Sequence, residues 1–175
     1  MKILHTADWH LGKLIHGIYM TEDQRFYLAQ LVEYLAENPV DLIIIAGDLF
    51  DRAIPPVDAI DLFDRFLEEV VLGLNIPIIA ISGNHDSPAR LKFGRRLMQK
   101  HGYHIITEFN PEMPPIILQD QYGEVHFHPI PYIDPSTIKQ AYKTDAVQSF
   151  DDAYRYLIEK LTPTLDPHAR HVAIA

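Results

Sequence analysis

Three short, mostly apolar runs stand out in the first half of the chain, and polar residues follow each of them at once. The runs cover residues 2–7, 41–46 and 78–82 and are rich in isoleucine and leucine, which is typical of buried β-strands. The residues that follow them are Asp8-Trp9-His10, Gly47-Asp48 and Gly83-Asn84-His85-Asp86. Because open α/β sheets bind ligands at the carboxyl ends of their strands, the pattern predicts a functional site at that edge.

Amphipathic segments between these runs predict that helices alternate with the strands. The first segment has a 3.6-residue stripe (Leu28, Leu31, Val32, Leu35 and Ala36) and opens on Thr21 and Gln24, a predicted capping box. The predicted helices run from 21 to near 38, from 55–56 to 73 and from 88 to near 102. The chain therefore belongs to the α/β class.

The second half of the chain is richer in proline and predicts a second sheet or an antiparallel extension. Short strands are expected at about 116–118 and 125–128, and a last buried strand at 171–175. Ser149 and Asp152 form a second predicted capping box, which opens an amphipathic helix that Pro163 follows. His126 and His128 lie on one face of a strand, and we interpret them as a structural pair.

Composition narrows the function classes. The chain has 175 residues, a size that suits one domain, and it contains no cysteine, so disulfides and thiolate metal sites are excluded. No apolar run reaches the roughly 20 residues of a membrane span, and no signal-peptide pattern is present, so we expect a cytoplasmic protein without a membrane partner. The net charge of −9 argues against a protein that coats nucleic acid. It is compatible with a nuclease, because bound cations reverse the field of a carboxylate cluster.

The residues at the strand ends are of the types that bind metal ions and transfer protons. Asp8 and His10 can chelate one cation, Asp48 can bridge two, and Asn84 offers a carbonyl oxygen to the second. Mixed oxygen and imidazole ligands fit Mn²⁺, Fe or Zn²⁺ better than Mg²⁺ or Ca²⁺. Two such ions activate water and neutralise phosphoryl oxygens.

His85 is the expected general acid, since imidazole titrates near neutrality, and Asp51 is expected to accept a hydrogen bond from it. Arg52 is the best candidate for a phosphate contact, and His16 and Tyr19 are candidate DNA contacts in a neighbouring loop. Taken singly, these motifs are weak, since Gly, Asn and Asp are common in turns. Their occurrence at three strand ends favours one shared site.

The same motifs carry a family resemblance. D-W-H-L-G at 8–12, G-D-L-F-D-R at 47–52 and G-N-H-D at 83–86 resemble the calcineurin-like metallophosphoesterases. The longer sequences that contain these motifs, at 3–12, 46–56 and 82–87, are similar to those of the SbcD-type nuclease subunits, and so is P-I-P-Y at 129–132. These subunits are related to the Mre-type repair nucleases. The resemblance implies a metallophosphoesterase-type β-sandwich flanked by helices. It also implies that Asp8, His10, Asp48 and Asn84 are metal ligands and that His85 is the catalytic acid.

The resemblance further implies a Mn²⁺-dependent exonuclease and endonuclease acting on DNA ends and hairpins. Its implied partners are an SbcC-type SMC-like ATPase and a second copy of the chain, joined through the N-terminal helices. The family pattern continues with further histidine ligands that do not occur in this sequence. We therefore expect residues 1–175 to be the N-terminal portion of such a nuclease domain, with weak binding of the second metal and little activity alone.

Two other function classes remain open at this point. One is a phosphatase or cyclic-nucleotide phosphodiesterase with the same metal core. The other is a dimerisation and SbcC-docking module without useful catalysis.

Overall fold

Two β-sheets packed face to face form the centre of the molecule. The computed structural model describes residues 1–175. The strands are β1 Ile3–Thr6, β2 Leu14–Ile15, β3 Ile18–Tyr19, β4 Leu42–Ala46, β5 Ile78–Ile81, β6 Tyr103–Ile106, β7 Ile116–Asp120, β8 Gly123–Pro129 and β9 Arg170–Ile174. The helices are α1 Thr21–Glu37, α2 Val57–Leu67, α3 Pro88–Leu91, α4 Arg95–Met98, α5 Pro135–Tyr142 and α6 Phe150–Leu161.

The first sheet is parallel and carries the three apolar runs. Its strand order is β1-β4-β5-β6, and each neighbouring pair is parallel. β4 and β5 lie in the middle, where almost all of their residues are buried, whereas β1 is an edge strand and only half-buried. Since the strands are parallel, the residues after β1, β4 and β5 all leave the sheet at the same edge.

Apolar side chains fill both sides of this sheet. On one side, α1 and α2 pack against it, with Leu28, Leu35 and Phe63 in the core. On the other side, Ile44 and Ile79 meet Val125 and Phe127 of the second sheet, whose strand order is β7-β8-β9. The structure therefore confirms an α/β sandwich of two sheets with flanking helices. No helix is both long and apolar enough to cross a membrane.

Several element boundaries agree with the sequence predictions. α1 ends at Glu37, the helical segment after Pro56 ends at Gly73, and β7 and β8 contain the predicted strands. The Ser149 side chain accepts a hydrogen bond from the Asp152 N–H, and the Asp152 carboxylate accepts one in return, so the second capping box is confirmed.

Other predictions were wrong in identifiable ways. The residue before α1 is Met20, and neither Thr21 nor Gln24 caps the helix. The third helix is broken into α3 and α4 by Gly94, which has a left-handed backbone. β9 pairs with β8 in the second sheet, and only its last residue, Ile174, is buried, so it is not the buried strand that was predicted. β6 and α5 were not predicted.

Candidate metal centre

The segment after β1 runs alongside the end of β4 and brings three potential ligands together. The N–H of Asp8 donates to the Gly47 carbonyl (3.2 Å), and the N–H of His10 donates to the Asp48 carbonyl (2.9 Å). Asp8, His10 and Asp48 all have positive φ angles, of 55°, 45° and 49°. Non-glycine residues rarely adopt this conformation, and where they do it commonly marks a functional site.

The donor atoms of these three residues converge. His10 Nε2 lies 3.9 Å from Asp8 Oδ1 and 3.7 Å from Asp48 Oδ2, and the three donor atoms lie within 4.8 Å of one another. The Asp48 side chain is 9% exposed and the Asp8 side chain 71% exposed, so the cluster is anchored on one side and open to solvent on the other. Two carboxylates and one imidazole are a donor set that fits a transition-metal ion such as Mn²⁺ or Zn²⁺.

A second group of donors adjoins the first through His10. One atom from each of His10, Asp51 and His85 lies within 4.8 Å of the others. His10 Nδ1 is 3.3 Å from Asp51 Oδ1, but the two are not aligned for a hydrogen bond, and this buried nitrogen has no partner. Buried polar atoms rarely stay unpaired. The Asp51 carboxylate is the nearest acceptor for a proton on His10 Nδ1, which leaves Nε2 for an ion beside Asp8 and Asp48.

The His85 ring is oriented by a backbone group. His85 Nδ1 lies 2.8 Å from the backbone carbonyl oxygen of Asp51, and because a carbonyl only accepts, Nδ1 must carry the proton. The predicted contact between Asp51 and His85 thus uses the main chain. The Asp51 carboxylate instead faces His10 and Lys13, whose Nζ is 3.7 Å away.

Asp86 joins the loop that follows β4 to the loop that follows β5. Its buried carboxylate accepts hydrogen bonds from the backbone N–H groups of Leu49 (3.1 Å), Phe50 (3.0 Å) and Gly83 (2.9 Å). Burial raises the pKa of the Asp86 carboxyl, and these three N–H groups oppose that rise. Asp86 was not among the predicted site residues, although its place in the G-N-H-D motif was a signal.

Asp48 and Gly83 make a second contact between the same loops. Asp48 Oδ1 accepts a hydrogen bond from the His85 N–H at 2.9 Å. Gly83 passes so close to Asp48 that a Cβ atom at position 83 would overlap the Asp48 carboxylate and backbone nitrogen. The close approach therefore requires glycine at this position.

Gln24 of α1 supports the loop that carries Asp8 and His10. Its amide nitrogen donates to the Trp9 carbonyl (3.1 Å) and the His10 carbonyl (2.8 Å), and its amide oxygen accepts from the Gly12 N–H (3.0 Å). The residue predicted to cap the helix therefore stabilises the candidate site instead. Only the three-dimensional contact reveals this role.

The remaining predicted site residues are all exposed. Asn84 follows Gly83 directly, at the solvent side of the loop, and Arg52 follows Asp51. His16 occupies the two-residue turn of the β2–β3 hairpin, with Gly17, and both residues have positive φ, as this type of turn requires. Tyr19, on β3, is 56% exposed. The roles of these four residues stay predictions.

Comparison with known proteins gives the family. One solved structure with similarity is the crystal structure of the Pseudomonas putida nuclease MPE, at 21% sequence identity and a TM-score of 0.41; the match covers 72% of this chain and 53% of that chain. The chain thus spans about half the length of that relative, and the family assignment does not depend on it. The family model for calcineurin-like phosphoesterases matches residues 1–170. Together with the donor cluster at the sheet edge, this match shows that the chain belongs to the calcineurin-like phosphoesterase family.

Proposed function

We propose that the chain is a DNA nuclease of the SbcD type, which hydrolyses phosphodiesters at DNA ends and hairpins with two divalent ions, most favourably Mn²⁺. Membership of the family supports a hydrolase that acts on phosphoester bonds. The observation that carries the proposal is the convergence of Asp8, His10 and Asp48 at the sheet edge, beside His85. The longer sequence around these motifs, at 3–12, 46–56 and 82–87, and P-I-P-Y at 129–132 support the DNA substrate.

The donor residues would divide the ions between them. Asp8 and His10 would hold one ion, Asp48 would be shared, and Asn84 would contribute its amide oxygen to the other. Bound divalent ions supply charge neutralisation at the phosphoryl oxygens and lower the pKa of water. The chain's own contribution is to fix the donor atoms in place, chiefly through the hydrogen bonds to Asp86.

His85 is proposed to protonate the leaving oxygen from Nε2. Its Nδ1–H is already donated to the Asp51 carbonyl, which fixes the ring and stabilises the protonated imidazolium. The His85 and His10 rings are 4.8 Å apart and nearly perpendicular, so the acid lies next to the proposed ligands. Arg52, exposed beside Asp51, is proposed to contact a DNA phosphate, and His16 and Tyr19 are proposed to contact DNA from the hairpin.

The first prediction separates the proposed acid from the proposed ligands. Mn²⁺-dependent cleavage of hairpin DNA and of bis-p-nitrophenyl phosphate is measured for the unaltered chain and for Asp48→Asn and His85→Gln. Asp48→Asn is expected to weaken Mn²⁺ binding, measured by EPR, and to lower both rates. His85→Gln is expected to retain Mn²⁺ and to slow DNA cleavage by roughly 100-fold or more, the usual contribution of a general acid.

The effect of His85→Gln on the small substrate is expected to be much weaker, because p-nitrophenolate leaves without protonation. Rates are compared as ratios between variants, so a low absolute activity does not obscure the result. His101→Gln, at an exposed position, is the control. Equal losses on both substrates would contradict the acid role. Cleavage of the small substrate without any cleavage of hairpin DNA would favour the phosphatase or cyclic-nucleotide phosphodiesterase alternative.

The proposal also includes a homodimer and an SbcC-type ATPase as partner. Exposed aromatic side chains on α1 support an interface there: Phe26 is 67%, Tyr27 55% and Tyr34 52% exposed. Sedimentation equilibrium is expected to detect a dimer that Phe26→Ser with Tyr34→Ser shifts to monomer. A monomer in the unaltered chain at all accessible concentrations would contradict this part of the proposal.

A further inference from the structure

Three histidines share one face of the second sheet, and none of them belongs to the candidate metal centre. His126 and His128 are two residues apart on β8, and His171 of β9 is in register with His126. Residues two apart on a strand, and residues paired across neighbouring strands, point to the same side of a sheet. Val125 and Phe127 point to the other side, into the core between the sheets.

Hydrogen bonds fix which nitrogen atoms of these rings are free. His171 Nε2 lies 2.9 Å from the Asp166 carbonyl oxygen, which can only accept, so the proton is on Nε2 and Nδ1 has a lone pair. His126 Nε2 lies 2.7 Å from the Glu124 carboxylate, which leaves His126 Nδ1 with a lone pair in the neutral ring. Carboxylates and backbone carbonyls are the groups that commonly orient metal-binding histidines.

Two of the nitrogens are already at close to the separation that a shared ion requires. His128 Nε2 lies 3.0 Å from His171 Nδ1. Two imidazole nitrogens on a tetrahedral Zn²⁺ are about 3.3–3.4 Å apart, given Zn–N distances of about 2.0–2.1 Å. A small outward shift of the rings therefore makes room for an ion between them. The His126 ring is 5.1 Å from the His171 ring and edge-on to it. His126 therefore joins after a side-chain movement, which the exposed Glu124 carboxylate can follow while it keeps its hydrogen bond to Nε2.

We propose that His128 Nε2 and His171 Nδ1, with His126 as third ligand, bind a late first-row divalent metal ion, with Zn²⁺ as the best fit. Sites made of imidazole alone favour Zn²⁺, Cu²⁺ or Ni²⁺ over Mn²⁺, so this site and the oxygen-rich centre at Asp8 and Asp48 differ in preference. Without the ion, His128 Nε2–H donates to the lone pair of His171 Nδ1. On binding, the His128 proton moves from Nε2 to Nδ1, so no net proton is released. The bound ion would clip β8 to β9.

The structure adds His171 to His126 and His128, the predicted structural pair. Burial is the main cause that lowers the pKa of His128, with further contributions from His171 and His126. The ring is therefore neutral at pH 7, which is the form that binds metal. The inference does not depend on the proposed nuclease activity.

Zn²⁺ binding is tested in a background in which the other centre has been removed, His10→Gln with Asp48→Asn. Isothermal titration is expected to show one equivalent of Zn²⁺ bound in this background, and the bound ion is expected to raise Tm. Changing a residue that only orients a metal ligand typically weakens metal binding by roughly 10–100-fold. Adding Glu124→Gln is expected to weaken Zn²⁺ binding within that range, whereas adding His171→Gln, which removes a ligand, is expected to weaken it more. His101→Gln is the matched control and is expected to have no effect.

A second measurement does not depend on the folding of these variants. In the unaltered chain, Zn²⁺ is expected to shift the ¹⁵N NMR signals of His128 Nε2 and His171 Nδ1. The same spectra are expected to show that the His128 proton moves to Nδ1. The proposal is overturned if the background variant shows no saturable Zn²⁺ binding, if His171→Gln binds as tightly as its parent, or if these ring nitrogens do not respond to Zn²⁺.

Discussion

The residues of the candidate metal centre combine strained backbone with dense hydrogen bonding. Asp8, His10 and Asp48 each adopt a left-handed conformation, which costs of the order of 1–3 kcal/mol per residue unless the surroundings compensate. The compensation is visible in the backbone hydrogen bonds that link the Asp8–His10 segment to the end of β4 and in the three N–H groups bound by Asp86. The site geometry is thus fixed by its own supporting contacts.

A substitution at Gly83 tests the close approach of Gly83 to Asp48. Gly83→Ala would place a Cβ atom onto the Asp48 carboxylate and backbone nitrogen, so the two loops must separate. We expect a loss of about 1–3 kcal/mol in the free energy of unfolding and a marked loss of Mn²⁺ affinity, measured by urea denaturation and EPR. Gly73→Ala is the matched control, because its Cβ would meet only the Glu68 carbonyl oxygen at 3.8 Å. Unchanged Mn²⁺ affinity in Gly83→Ala would show that this close approach is not needed.

Among the elements, α1 has a role beyond packing its apolar face. Gln24 bonds to three backbone groups of the 9–12 segment and thereby joins the helix to the loop that follows β1. The same pattern of residues, Thr or Ser followed by a polar residue three positions later, forms a true capping box at Ser149 and Asp152. At Thr21 the helix begins one residue earlier than predicted, with Met20 as N-cap, and the Gln24 side chain bonds to the 9–12 segment instead.

Changing Gln24 is expected to affect the loop more than the helix. Gln24→Ala removes three hydrogen bonds and is expected to lower the free energy of unfolding by about 1–2 kcal/mol and to weaken Mn²⁺ binding. Gln24→Glu keeps an acceptor for the Gly12 N–H but places a carboxylate against the Trp9 and His10 carbonyls. Its stability and Mn²⁺ affinity are therefore expected to be no higher than those of Gln24→Ala. Gln30→Ala, exposed on the same helix, is the control. Equal effects of the substitutions at 24 and 30 on Mn²⁺ binding would rule out this positioning role.

Across the whole molecule, Asp120 connects both sheets through charge. Its carboxylate pairs with the Arg170 guanidinium of β9 (2.6 Å and 3.0 Å) and with the N-terminal ammonium beside β1 (2.6 Å). The hydrogen bond from Arg170, followed by those from the N-terminal ammonium and the Tyr122 N–H, lowers the pKa of the Asp120 carboxyl. Asp120 therefore binds a proton less readily in the folded chain than in the unfolded chain.

This shift gives a pH dependence with a defined sign. A lowered carboxyl pKa contributes stability that is fully present above its unfolded pKa, about 3.9, and is lost as the pH falls toward the folded value. The free energy of unfolding is therefore expected to fall below about pH 4, and Asp120→Asn is expected to flatten part of that fall. Asp145→Asn, at an exposed position, is the control. Identical acid profiles for Asp120→Asn and the unaltered chain, measured by urea denaturation from pH 3 to pH 6, would contradict the assignment.

Much of the fold was predictable from local sequence because its signals are local. The isoleucine-rich runs predicted β4 and β5, and Ser149 with Asp152 predicted the start of α6. β6 escaped prediction because His104 interrupts its short apolar run, and α5 escaped although Asp134-Pro135 is a helix-start signal. The break at Gly94 escaped because a single glycine inside an amphipathic pattern is compatible with a continuous helix.

The sequence by itself determined that ligand-type residues follow three strands, since strand patterning and motif spacing are written in the chain order. Only the tertiary structure decided which atoms meet: the main chain of Asp51 on His85, Asp86 between two loops, Gln24 under the Asp8–His10 segment, and His171 beside His128. These contacts join residues that are 14 to 43 positions apart. Their partners are chosen by sheet register and packing, and no local pattern encodes either.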